Sequence, residues 1–301
     1  RMGDMFQLSV ELYDTRDKKV VWSDRWQENW NNLPSIKSSL SDGLLKALDT
    51  KSKVEKKLET NNPIAYEFYL KAKHKYAKRQ NIDDTEIVRG LLNKALELDD
   101  NLIRGKLLLG NTYDDIGDYD KAMEIYISTQ KQANVLDDID GIIGSFISIG
   151  NIHQRTGDYD MAFKCYESSL KICKKLDNNK GIEKILHNMA NIFQNKGEYN
   201  KALEYFKKSL NIRKSIDDKL GIGYSLLSIG NIHSLKQDKE IALQYYNKSF
   251  KIFREINDRV GLLSILGCLG NIEEDNQNYK KALKYYEESL AISQNLGNKH
   301  Y

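Results

Sequence analysis

Five asparagines recur at a fixed step of 40 residues: Asn111, Asn151, Asn191, Asn231 and Asn271. An asparagine side chain both donates and accepts hydrogen bonds. A row of them can therefore hold the backbone of an extended peptide without demanding one particular side chain. Neighbouring positions extend the polar strip. Ser148 and Asn188 stand three before an asparagine and His187 four before, while Gln154, Arg155, Gln194 and Asn195 stand three or four after; Lys184 lies at the outer edge. This is the chemistry of recognition rather than of bond breaking. His153 and His233 occupy the place held by Tyr113 and Phe193 in other rows, which makes them packing residues. Acidic pairs such as Asp137/Asp138 and Asp217/Asp218 lack the glycine and terminal glutamate of a calcium loop. The sequence holds no phosphate loop, no Gly-x-Ser-x-Gly, no His-Glu-x-x-His and no zinc-finger spacing. No catalytic role, cofactor or metal is expected of this chain.

The elements that position the asparagines are legible from the same period. A small residue precedes each one: Gly110, Gly150, Ala190, Gly230 and Gly270. An alanine follows eleven later, at Ala122, Ala162, Ala202, Ala242 and Ala282, and four beyond it an aromatic, at Tyr126, Tyr166, Phe206, Tyr246 and Tyr286. Three rows carry Gly-acid-Tyr before the alanine, at 117, 157 and 197; two read "QDK" and "QNY" instead. Each unit thus reads as two amphipathic helices joined at that turn, where glycine supplies the terminating conformation. Polar links, "LDDIDG", "LDNNKG", "IDDKLG" and "INDRVG", end at Gly141, Gly181, Gly221 and Gly261, and their Asp and Asn can cap the next helix. The small residues are expected to let the two helices approach closely, Gly150 against Ala162 and Ala190 against Ala202. A strict period of this size means a solenoid of repeated helix pairs.

Composition agrees. Of 301 residues, 40% are hydrophobic and 30% charged, which suits a folded chain, and two prolines leave long helices uninterrupted. The net charge of +3 does not call for a nucleic-acid partner. Residues 51–80 hold nine Lys/Arg against three Glu, the composition of a solvated lysine face. The longest apolar stretch, "GLLSILGCLG", is too short to span a membrane, which takes about 20 residues. Cys165 and Cys173, eight apart on one helix, lie about 12 Å apart along it and cannot bridge. Three unpaired cysteines suggest a reducing, cytoplasmic setting.

The small–aromatic–Gly–Ala–aromatic signature, recurring in phase, resembles the tetratricopeptide-repeat family, whose usual period is about 34 residues. The longer units, with "GN" and L-D-x-x-G links, are similar to the Pins-type subgroup. The implied repeats are an irregular one at 62–100, then 101–140, 141–180, 181–220, 221–260 and 261–298; Asp100 stands where the family often has proline. The implied fold is a mainly all-α solenoid whose first helices turn one face to a concave groove. The resemblance also implies that groove asparagines grip a protein or peptide ligand, here one with acidic residues at its middle. That reading expects Asn151, Asn191 and Asn231→Ala together to abolish partner capture while stability stays nearly unchanged. The alternative is that the asparagines bond between adjacent first helices and set the superhelix, in which case the variant unfolds early. Without a capping helix after 298, self-association through the last repeat is a further expectation.

Residues 1–60 do not repeat. "FQLSVEL" alternates strictly and reads as a half-buried strand, "DTRDKK" as a turn, "VVWSDRW" as a second strand and residues 34–48 as a helix begun by Pro34. One hairpin and one helix do not make a stable domain, so a larger α/β domain is implied. The pattern "GD…L-x-V-x-L-x-D…VW-x-D-R-W", then "LLKALDT" and "NPIAYEFYLKAK", resembles the end of a TolB amino-terminal-like domain leading into a first repeat. Trp26 departs from the tyrosine of that pattern, and Trp22, Trp26 and Trp30 read as packing residues. The resemblance implies a bacterial signalling protein, often one associated with a class III adenylate or guanylate cyclase. Three functional readings stay open: an interaction scaffold arm, the regulatory part of such a cyclase, and a peptide-sensing regulator.

Overall fold

The computed structural model describes residues 5–14, 19–29, 39–40, 60, 62–79 and 81–297. Strands β1 (Met5–Asp14) and β2 (Lys19–Asn29) pair antiparallel, Leu8 opposite Trp26, with an irregularity at Leu12/Tyr13. The strict alternation of "FQLSVEL" is therefore a strand of a hairpin. The expected turn at 15–18, Trp30 and most of the helix at 34–48 lie outside the described residues; only Ser39 and Leu40 of that helix are described, and they are helical.

Twelve helices follow among the described residues. They are α1 (Pro63–Ala77), α2 (Ile82–Leu98), α3 (Ile103–Asp114), α4 (Tyr119–Val135), α5 (Ile139–Arg155), α6 (Tyr159–Lys175), α7 (Asn179–Asn195), α8 (Tyr199–Ser215), α9 (Lys219–Leu235), α10 (Lys239–Glu255), α11 (Arg259–Asp275) and α12 (Tyr279–Gly297). The contacts fall into two compact units, Arg1–Ser145 and Phe146–Tyr301, which part within α5. In the first, Tyr66, Tyr69, Val88, Leu92 and Leu102 form a core beneath α1 to α3. In the second, Leu203, Phe206 and Leu210 of α8 pack with Leu226, Ile229 and Ile232 of α9, and Phe253 of α10 with Ile265 and Leu269 of α11. In the second unit α8 and α10 thus bury part of their apolar stripe on the first helix of the next pair.

The turns explain the phase-locked period. Asp138, Asn178, Asp218 and Asp258 accept from the backbone N–H of Gly141, Gly181, Gly221 and Gly261 at 2.6–3.0 Å, so the links do cap the helices that follow. Those glycines have a second cause. A Cβ on Gly181 would lie 2.6 Å from the Cys173 sulfur, and one on Gly261 2.4 Å from the Phe253 ring. In the other turn Gly117, Gly157 and Gly197 adopt φ of 74° to 84°, while Gln237 and Gln277 take the same left-handed conformation at 65° and 62°. A side chain there is strained by about 1 kcal/mol. Gln237→Gly is therefore expected to stabilise the chain by about that amount, read as a higher urea midpoint; an unchanged or lower midpoint contradicts it.

A further regularity ties helices across their surfaces, within a pair or between successive pairs. Lys196 reaches Asp160 at 2.8 Å, Lys219 reaches Glu255 at 2.5 Å and Lys239 reaches Asp275 at 3.0 Å; within the first unit Arg79 reaches Asp115 at 2.5 Å. Every one of these spans 36 residues, one period less one helical turn.

Candidate functional site

The glycine before four of the asparagines is pressed most closely by an aromatic ring, while Ala190 shares a buried cluster with Ala202. A Cβ on Gly150 would lie 2.7 Å from the Tyr166 ring, on Gly110 2.4 Å from Tyr126, on Gly230 2.5 Å from Tyr246 and on Gly270 2.4 Å from Tyr286. The glycine makes room first for the aromatic sixteen residues on. Ala122, Ala162, Ala202 and Ala242 are wholly buried, and Ala282 nearly so. Sequence reasoning chose the alanine because small residues often meet small ones. A ring lying across the helix is the better reason for glycine, and the fixed aromatic was its signal.

That ring delivers its hydroxyl to the asparagine. Tyr126 donates to Asn111 Oδ1 at 2.6 Å, Tyr166 to Asn151 at 2.6 Å, Tyr246 to Asn231 at 2.8 Å and Tyr286 to Asn271 at 2.8 Å. Burial pushes the Tyr166 and Tyr246 hydroxyls well above the usual tyrosine range, so they remain protonated donors. Tyr286, which also donates to Glu274, is raised to about 12, first by burial and then by that bond. Two of these amides are shared further. Asn188 donates to Asn151 at 3.2 Å, tying α7 to α5, and the Cys268 thiol lies 3.8 Å from Asn231 Oδ1. The oxygen of four asparagines is thus engaged within the protein.

The fifth differs. Phe206 stands where the other rows have tyrosine, Ala190 where they have glycine, and no hydrogen bond of the Asn191 side chain is present among the described residues. Asn191 is half-buried, so its amide keeps both a donor and an acceptor for another molecule. One turn earlier His187 lies edge-on to Phe206, centroids 5.0 Å apart, and its Nδ1 is buried with no hydrogen-bond partner. Burial, and then the nearby Arg213 charge, lowers the His187 pKa to about 4, so the ring is neutral near pH 7.

The same helix pair holds a buried ion pair. Arg213 of α8 meets Glu183 of α7 at 2.5 Å, both side chains less than a tenth exposed. The guanidinium also donates to Gly221 O and Ser225 Oγ of α9 at 2.8 Å, and Ser209 donates to the Glu183 carbonyl at 2.9 Å. The corresponding places in the previous pair hold Ile143 and Cys173. Sequence reasoning passed over Glu183 and Arg213, and counted Phe206 only as one more aromatic of the row. Their signal was available as departures of one row from its neighbours.

The remaining expected site residues fall along the same helices. Ser148, Gln154 and Arg155 lie on α5; Lys184, Asn188, Gln194 and Asn195 lie on α7; Lys184, Arg155 and Asn195 are exposed and the others half-buried. Gln154 accepts from the Tyr166 hydroxyl at 3.0 Å, beside Asn151. The two histidines read as packing residues lie against the turns: His233 Nδ1 is 3.1 Å from Asp238 and its ring stacks on Tyr245, and His153 Nδ1 is 3.6 Å from Asp158. Among the described residues no cluster of His, Cys, Asp and Glu comes together as a metal site, and no helix is long and apolar enough to cross a membrane.

Comparison with solved structures matches this architecture. The apo form of RapI is 18% identical, with a TM-score of 0.61, over 89% of this chain and 96% of that one. A Rap protein complexed with competence and sporulation factor is 14% identical, with a TM-score of 0.59, over 87% and 82%. A signal-transduction ATPase of the STAND class with a tetratricopeptide-repeat sensor, from Pyrococcus horikoshii, is 17% identical, with a TM-score of 0.64, over 87% of this chain and 40% of that one. Likenesses at this identity establish the fold. No curated protein matches the chain by sequence. Models described as tetratricopeptide repeat match residues 103–127, 143–176, 181–255 and 262–299, more than half of the chain. With the phase-locked helix pairs, these matches establish that the chain belongs to the tetratricopeptide-repeat family.

Proposed function

We propose that this chain is a protein-interaction arm that binds a peptide or helix along the asparagine-bearing faces of α5, α7, α9 and α11. The observation that carries the reading is Asn191, the one amide of the row with no internal partner, in the middle of a polar, half-buried strip. Lys184, two turns earlier on α7, and Arg155 at the end of α5 favour a ligand with acidic residues along this part of the strip. The clasped Asn151, Asn231 and Asn271 keep the wall of the strip rigid, which lowers the entropy lost when a segment docks. The arm is proposed to serve regulation in the cytoplasm, where Cys165, Cys173 and Cys268 stay free thiols.

A second reading, that the array senses a small signal molecule, gains support from the Rap protein with bound competence and sporulation factor and from the ATPase with a repeat sensor. The amino-terminal resemblance proposes what would be regulated, a nucleotide cyclase in the same polypeptide or complex.

The test selects binders from a displayed library of random peptides and measures them against variants. Asn191→Ala is expected to weaken binding at least about tenfold, 1.4 kcal/mol, with an unchanged urea midpoint. Asn231→Ala is expected instead to lower stability by about 1–3 kcal/mol, because the buried Tyr246 hydroxyl loses its acceptor. Selected peptides whose affinity is indifferent to Asn191→Ala overturn the reading. A signal peptide that changes the scattering radius on binding favours the sensor.

A further inference from the structure

One polar side chain of the strip is not called for by packing. The place four residues before each asparagine holds Leu107, Ile147, Leu227 and Gly267 in the other rows, and His187 in the middle one. Leu107 shows what the place does for the fold. Its side chain reaches α5, where a Cβ on Gly144 would lie 2.8 Å from it. His187 instead lies edge-on to Phe206 and buries Nδ1 without a hydrogen-bond partner. A buried nitrogen left unpaired costs stability that a leucine would not.

The other ring nitrogen is free to act outward. Nε2 reaches the surface and bonds to nothing among the described residues. Nδ1 has no acceptor and the Arg213 charge is nearby, so the proton belongs on Nε2, which is then a donor. Asn191 follows four residues on, about 6 Å along α7 and on the same face. Its amide is unclasped because Phe206 lacks the hydroxyl that Tyr166 and Tyr246 give to Asn151 and Asn231. Lys184, three residues before His187, is exposed and has no carboxylate partner among the described residues.

Side chains four apart on a helix can meet on one group. Two neutral donors with a cation beside them match a carboxylate, which has an oxygen for each donor and a charge for the lysine. A carboxamide has one oxygen and no charge. Building on the peptide-binding strip proposed above, we infer that His187 and Asn191 together hold a carboxylate of the bound segment, an aspartate or glutamate side chain, with Lys184 alongside. His187 is then the residue that makes the acid a requirement, and the stability it costs is the mark of that role.

The experiment measures peptides selected on the full chain in pairs, each with its acid and with the matching amide, Asp against Asn or Glu against Gln. The wild type is expected to bind the amide at least about tenfold more weakly. His187→Leu is expected to bind the acidic peptide at least about tenfold more weakly, to lose most of its preference for acid over amide, and to raise the urea midpoint. His187→Gln, which keeps a donor, is expected to retain part of that preference. Higher stability with lower affinity separates contact with the ligand from damage to the fold. Binding lost in Asn191→Ala but kept in His187→Leu overturns this inference and leaves the strip standing. A His187→Leu variant that weakens acid and amide peptides equally also overturns it, since the ring would then only shape the surface. Peptides indifferent to both substitutions, or a library that yields no binder, overturn the strip as well.

Discussion

Replacing Arg213 by leucine, with Glu183 left in place, is expected to lower the unfolding free energy by about 3–5 kcal/mol. The size follows from burial rather than from the attraction of the pair. Glu183 and Arg213 are each less than a tenth exposed, so removing one leaves the other's charge in apolar surroundings with water excluded. Arg213 also satisfies Gly221 O and Ser225 Oγ in α9, which adds to the loss. The companion variant separates the two contributions. Glu183→Leu with Arg213→Met removes both charges, and because neighbouring pairs place Ile143 and Cys173 there, it is expected to return to within about 1 kcal/mol of the wild type or to exceed it. Urea unfolding of the full chain measures both. A cost below about 1 kcal/mol for Arg213→Leu would mean that water reaches the pair.

The second large effect is a loss of stability in mild acid that depends on one side chain. The folded-state pKa of His187 is lowered to about 4 from the ordinary 6.5, so the unfolded chain binds a proton more readily than the folded one between those values. Stability contributed by the neutral ring is complete above about pH 6.5 and is lost as the pH falls toward 4. The full loss is up to about 3 kcal/mol. The groups that set it are Phe206 against the ring and Arg213, whose positive charge opposes a second one nearby. His187→Leu, the residue at the same place as Leu107 and Leu227, is expected to remove this part of the pH dependence and to stabilise the chain near pH 7 by relieving the unpartnered Nδ1. Midpoints of wild type and variant are compared from pH 7 to pH 4. Parallel curves would show that His187 binds its proton equally well in the folded and unfolded chain.

Much of the fold was legible because the repeat states each constraint several times over. Helix positions, the capping Asp and Asn and the turn glycines all follow from residue types that backbone geometry demands. The ring that presses most closely on Gly150 was not foreseen, because spacing shows that a residue must be small without showing what presses on it. The asparagines were legible as special but not as occupied. A bond between Tyr166 and Asn151 depends on how far a ring reaches across two helices, which no single-helix periodicity encodes. The middle repeat illustrates the reverse case. Phe206, Ala190, His187, Glu183 and Arg213 break the pattern together, and averaging over rows hides departures of that kind. The hairpin was legible from alternation, whereas its setting depends on residues beyond those described.

The ion pairs that span 36 residues lend the array a property distinct from its fold. Helix packing within and between pairs is apolar and little affected by electrolyte, but exposed charges such as Lys239 and Asp275 add to the ties between pairs. Salt weakens such ties over a Debye length of about 8 Å at physiological ionic strength. Within each compact unit the electrolyte therefore adjusts only the outer, charged part of the ties between pairs, while the apolar contacts beneath them keep their strength.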